Sequence, residues 1–206
     1  MSPQVCIIDY GIGNVGSVKN ALQFLGVSTV ISSDKKMIQE ATHLILPGVG
    51  SFGDGMRNLK ERNLVDILKE EVIVNKKKIL GICLGMQLFA SHGFEHGEFE
   101  GLDFISGKII QIDITQSKLR LPHIGWNNVT VVDDKVITKS FEQEPIFYFV
   151  HSFHFIPEER SVVAGICTYG HDIVALVESG NIFGTQFHPE KSHVDGLHVL
   201  KNFINA

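Results

Sequence analysis

The sequence predicts an α/β domain built on a mostly parallel sheet with added antiparallel strands. Three observations predict it. Through the first half, short apolar runs alternate with helically spaced segments, the pattern of βαβ units. Through the second half, strand-like runs follow one another across turns too short for a crossover helix, so they should pair antiparallel. The 206 residues, 44% of them hydrophobic, suit one domain over 1–206 with a substantial core.

The elements follow in order. VCIIDY (5–10) is the first strand. Val15, Val18, Leu22 and Leu25 then recur at helical spacing. STVIS (28–32) precedes a short polar helix at 35–41, and HLILP (43–47) leads into a glycine-rich loop. Helices are expected at 55–62 and 64–75. KILGIC (78–83) is a strand that feeds a helix at 85–91. The later strands are expected at 107–114, 128–133, 146–150, 162–169, 173–178 and 181–187. A final helix at 195–204 gathers Leu197, Leu200, Phe203 and Ile204 on one side. No repeat or low-complexity linker interrupts the series.

Composition excludes several classes. The net charge is −5 and only 20% of residues are charged, so no basic footprint for nucleic acid is present. Lys76, Lys77 and Lys78 read as a solvated turn. The longest apolar stretch, 79–90, is broken by Gly and Gln and falls short of the roughly 18 residues of a membrane span. Three cysteines without metal-ligand spacing point to free thiols in a reducing compartment. The opening MSPQVCIIDYG lacks the basic run and cleavage pattern of a secretory leader, so the cytoplasm is expected.

The sharpest local signal is Gly81-Ile82-Cys83-Leu84-Gly85, a G-x-C-x-G turn between a strand and a helix. That is the spacing of a nucleophile elbow, with sulfur in place of hydroxyl. The following helix end favours a thiolate, and the Leu84 N–H is placed to stabilise an oxyanion. Cys6 and Cys167 lie inside apolar runs and read as buried structural thiols. A cysteine nucleophile needs a base and an orienter. Among ten histidines, His188 follows the strand NIFGTQF, and Glu190 lies two residues on, within reach of its imidazole. His151 and His154 could line the same cleft, or be satisfied histidines. His92 and His96 lack the order of a metal-binding helix, and neither a metal nor a cofactor is expected.

Two glycine loops remain. PGVGSFG (47–53) follows a strand and could complete an oxyanion hole beside Cys83. Gly11-Ile12-Gly13-Asn14-Val15-Gly16 is formally G-x-G-x-x-G, with Asp34 after the second strand. The competing reading is therefore a nucleotide-binding oxidoreductase or Rossmann-like binding module. It leaves the elbow and the His-Pro-Glu turn unexplained.

PGVGSFGDGM, KILGICLGMQ and GTQFHPEKS together resemble the class I, triad-type glutamine amidotransferases. DYGIGN, PHIGWN (122–127) and FVHSF (149–153) look like the branch that forms glutaminase subunits of imidazole glycerol phosphate synthases, the alternative being the glutaminase subunit of another class I amidotransferase. The resemblance spans essentially the whole chain. It implies a flavodoxin-like, three-layer α/β/α fold and a Cys83–His188–Glu190 triad. It implies an oxyanion hole from Leu84 and the Val49–Gly50 region. It also implies glutamine contacts from Gly50, Gly85, Gln87, Ser152 and Phe153. It implies a heterodimer with a cyclase, a separate (β/α)8 barrel that receives ammonia. His154 stands where that family more often has an aromatic residue, and Leu176 where alanine is frequent. Asn14 and Trp126 are candidates for the partner face. Trp126 is a large aromatic in a Gly-flanked segment expected as a loop, with a core tryptophan as the alternative.

Overall fold

A computed structural model describes residues 4–115, 117–141 and 144–206; the first three residues of the N-terminal reading lie outside it. Its strands are β1 (Gln4–Ile8), β2 (Ser28–Ser32), β3 (His43–Gly48), β4 (Lys78–Cys83), β5 (His92–Gly93), β6 (Phe99–Glu100) and β7 (Gly107–Gln111). They continue with β8 (His123–Asn128), β9 (Thr130–Val131), β10 (Ile146–His151), β11 (Phe153–Pro157), β12 (Val163–Tyr169), β13 (His171–Ser179) and β14 (Ile182–Thr185). The helices are α1 (Val15–Phe24), α2 (Lys35–Glu40), α3 (Phe52–Glu61), α4 (Val65–Lys69), α5 (Leu84–Gln87) and α6 (His193–Ile204).

The main sheet has the order β2-β1-β3-β4-β14-β13-β12-β9. Its first five strands run parallel, and β13, β12 and β9 join antiparallel. The parallel part has the doubly wound 2-1-3-4-5 order of flavodoxin-like sheets. Strands of such a sheet are covered on both faces, which is why β3 is buried along its whole length. Alternation divides the core. Val5, Ile7, Ile45, Leu80 and Ile82 pack with Val18 and Leu22 of α1 and with Val199, Leu200 and Phe203 of α6. Cys6, Ile8, Leu44, Leu46 and Ile79 pack with Ile38 of α2, Met56 and Leu59 of α3 and Leu68 of α4. The result is three layers, α/β/α.

Several expectations need correction. The helix expected at 85–91 is a single turn, because the chain peels away to close backbone bonds with the 101–105 segment. The helix at 64–75 begins at Val65 and widens into a π-helical turn over Glu70–Val74. Strand 107–114 stops at Gln111, and 128–133 is divided between β8 and β9. Some later strands pair across the sequence rather than in succession. β10 pairs with β8, and β11 with β7, in two small sheets outside the main one. Local apolar patterning specifies a strand without naming its partner. Trp126, expected in a loop, lies on β8 opposite Tyr148. The lysine run is not wholly solvated either. The largely buried Lys77 ammonium binds Glu71 at 2.6 Å and the Ile38 and Gln39 carbonyls at 2.8 and 2.7 Å.

Candidate active site

Cys83 ends β4 with φ +53° and ψ −110°, in a region that residues with a Cβ rarely enter. Two glycines permit the turn. A Cβ on Gly85 would lie 1.7 Å from the Leu46 carbonyl oxygen, and one on Gly81 would lie 2.6 Å from the Met86 nitrogen. Neither contact is possible, so the G-x-C-x-G spacing is a steric requirement of this fold.

β14 runs parallel to β4 with Thr185 opposite Ile82, so the chain leaving β14 emerges beside Cys83 at the carboxyl edge of the sheet. His188 is held there by its own N–H on the Tyr148 carbonyl (3.0 Å) and by its carbonyl accepting from Ser192 Oγ (2.6 Å). Its Nδ1 lies 2.9 Å from Glu190 Oε1, and both side chains are almost fully buried. Burial pulls the His188 pKa down. The neighbouring Cys83 and Glu190 outweigh it together and raise the value to about 10. His188 Nε2 is buried and finds no hydrogen-bond partner among the described residues. Burial pushes Cys6 up to about 11 and Cys167 up to about 12.

Cys83 opens onto a cavity of about 430 Å³. Of the sequence-derived residues, Val49, Gly50, Leu84, Gln87, Ser152 and Phe153 line it with Cys83. The 47–53 stretch expected as a loop is β3 through Gly48, which pairs in register with Cys83, then a turn at 49–51 that lines the cavity beside it, then α3 from Phe52. Gly50 holds φ +108° with open space around its α-carbon. Gln87 Nε2 donates to the Phe153 carbonyl (2.9 Å) and to Gln186 Oε1 (3.1 Å). Gly85 is packed against Leu46 rather than on the cavity wall. Asn14 Oδ1 caps α1 by accepting from Ser17 N–H. Trp126 stands apart on β8, 49% exposed, stacked at 4.9 Å on His193. Neither Asn14 nor Trp126 lines the cavity.

Sequence reasoning missed three residues here. Gln186 Nε2 points at Cys83 Sγ from 3.8 Å, and the thiol itself faces the Val150 carbonyl at 3.9 Å. Glu95 lines the cavity and takes the Phe52 N–H at the start of α3 (2.8 Å). Tyr10 is fully buried against Gly48, with its hydroxyl unpaired among the described residues. Of the two histidines that could line the cleft, His151 does and His154 does not. Asp34 uses its carboxylate to cap α2, accepting from Lys36 and Met37 N–H.

The chain matches the family model described as glutamine amidotransferase class-I over residues 6–206. It is a class-I glutamine amidotransferase. This amidotransferase is 43% identical over 200 residues to the imidazole glycerol phosphate synthase subunit HisH 2 of Methanococcus maripaludis, covering 97% of this chain and 98% of that one. It is 44% identical to subunit HisH 1 of Campylobacter jejuni, again covering 97% and 98%. In fold the amidotransferase resembles the structure of PurLQS from Thermotoga maritima, with a TM-score of 0.76, 23% identity and coverage of 100% and 99%. The Rossmann-like reading of the Gly11–Gly16 loop is therefore set aside.

Proposed function

We propose that this chain, as one glutaminase domain over 1–206, is the glutaminase subunit of an imidazole glycerol phosphate synthase. The strained Cys83 beside the buried His188–Glu190 pair carries the reading. The Cys83 thiolate attacks the δ-carbonyl carbon of glutamine, and the oxyanion meets the N–H groups of Leu84 and of the Val49–Gly50 region. Protonated His188 gives its proton to the departing ammonia, leaving a γ-glutamyl thioester. His188 then takes a proton from water, which attacks the thioester and releases glutamate and the thiolate. Glu190 keeps the imidazole oriented, and Gln87, Ser152 and Phe153 hold the substrate.

The full-length similarity to HisH subunits supports a cyclase partner, a (β/α)8 barrel that takes the ammonia and makes imidazole glycerol phosphate and an aminoimidazole carboxamide ribotide. A free thiolate glutaminase wastes glutamine, so activity should depend on assembly. The turn between β3 and α3, residues 49–51 with Gly50 at φ +108°, is the element that partner binding would bring into its competent form. The test is ammonia release from glutamine by this chain alone and with the cyclase and its nucleotide ligand. Stimulation by orders of magnitude, mainly in kcat, is expected. Full activity in the isolated chain, unchanged by the cyclase, would contradict the coupling.

A further inference from the structure

Behind the Phe153 wall runs a buried hydrogen-bonded file that the proposed chemistry leaves unused. His151 Nδ1 lies 2.9 Å from the Phe153 carbonyl, His123 Nδ1 lies 3.1 Å from His151 Nε2, and Asn127 Nδ2 lies 3.4 Å from His123 Nε2. Both histidines are buried. Burial lowers His151 to about 3, outweighing its bond to the Phe153 carbonyl, and lowers His123 to about 4, so both rings stay neutral at neutral pH. One carbonyl then fixes every tautomer. It only accepts, so His151 carries its hydrogen on Nδ1 and offers a lone pair on Nε2. His123 must therefore donate from Nδ1 and accept on Nε2, where Asn127 supplies the donor. The second Asn127 hydrogen reaches the Thr168 carbonyl at 3.0 Å.

At its inner end the file meets the cavity. The Phe153 carbonyl takes a second donor from Gln87, which also holds Gln186, whose amide points at Cys83. His123 is also sandwiched between Phe149 (4.8 Å) and Tyr169 (4.0 Å). Packing alone would be served by a phenylalanine there. Two buried imidazoles satisfied end to end indicate a polar task.

We infer that His123 is a positioning residue for glutamine binding. Through His151 it holds the Phe153 carbonyl, and Gln87 with it, in place at the cavity wall. The inference rests on the glutaminase reading. Two substitutions at His123 separate positioning from packing. His123→Phe keeps the aromatic sandwich and removes both ring nitrogens. His123→Asn gives up the sandwich but sets an amide nitrogen near the Nδ1 position.

The experiment is steady-state glutamine hydrolysis by the complex of this chain with the cyclase and its nucleotide ligand. His123→Phe should raise the glutamine KM about tenfold, the worth of one buried hydrogen bond, with little change in kcat. His123→Asn should recover most of that loss. Nitrogen-15 spectra of the imidazoles in the unmodified chain should show His123 and His151 both neutral with the hydrogen on Nδ1, a readout that stands even if a His123 variant fails to fold. The inference is overturned if His123→Asn is the more damaged of the pair, or if either ring carries its hydrogen on Nε2. An unmodified complex that releases no ammonia overturns the proposed function, and this inference with it.

Discussion

Cys83 is where backbone strain and the proposed chemistry coincide, and its glycine neighbours are what permit it there. Gly85→Ala drives a methyl group into the Leu46 carbonyl, so it should destabilise the fold by at least about 3 kcal/mol. Chemical denaturation would measure this, and a stability within error of the unmodified chain would show that the elbow can relax. Gln186 acts on the same sulfur from the other side, through its amide nitrogen. Gln186→Met keeps the volume and removes the donor. The kcat of glutamine hydrolysis by the complex should fall about tenfold, since the amide no longer holds the sulfur in place. An unchanged kcat would mean that the amide only packs. The elbow was legible in the sequence because close approach demands glycine at two fixed offsets. Gln186 was not, because its partners Cys83 and Gln87 are about a hundred positions away and leave no local spacing.

The two-stranded ribbon of β8 and β10 has two working faces. Inward it presents His123, Asn127, Phe147, Phe149 and His151; outward it presents Ile124, Trp126 and Ile146, all exposed. Trp126→Ala should weaken association with the cyclase by about thirtyfold, as expected for an aromatic anchor worth about 2 kcal/mol. Titration calorimetry would check it, and unchanged affinity would place the partner elsewhere. Lys77 ties α2 to the π-helical turn after α4. Lys77→Met leaves Glu71 buried and uncompensated, so a loss of about 3 kcal/mol in unfolding free energy is expected. A neutral result would mean that Glu71 finds water. The βαβ half was readable element by element, since each strand there is followed by its own helix. The β8–β10 and β7–β11 pairings were not, because side-chain alternation sets which face is buried and leaves the neighbour open. The lysine run misled for a similar reason, since three like charges on a short segment do not reveal which one turns inward.

Across the whole molecule, the doubly wound order brings the ends of β1, β3, β4 and β14 to one edge, where the cavity forms. The fold also makes stability depend on pH. Burial lowers His43, His123 and His154 to about 4 and His151 to about 3, while unfolding returns each to about 6.5. The unfolded chain thus binds more protons in that window, and stability falls as pH drops below about 6.5. His188 runs the other way. Its contribution is full below about 6.5 and fades as pH rises toward about 10. The urea midpoint should therefore peak near neutrality and decline on both sides; a flat midpoint between pH 5 and 9 would contradict these assignments.

The central claim is that Cys83 carries the glutamyl group. It is tested most directly by mass spectrometry of the chain in complex with the cyclase, after reaction with a glutamine-mimicking electrophile. The account predicts one adduct per chain, on Cys83, and none on the Cys83→Ala variant, which should also lose glutaminase activity. Labelling at Cys6 or Cys167, or a Cys83→Ala complex that still hydrolyses glutamine, would contradict it.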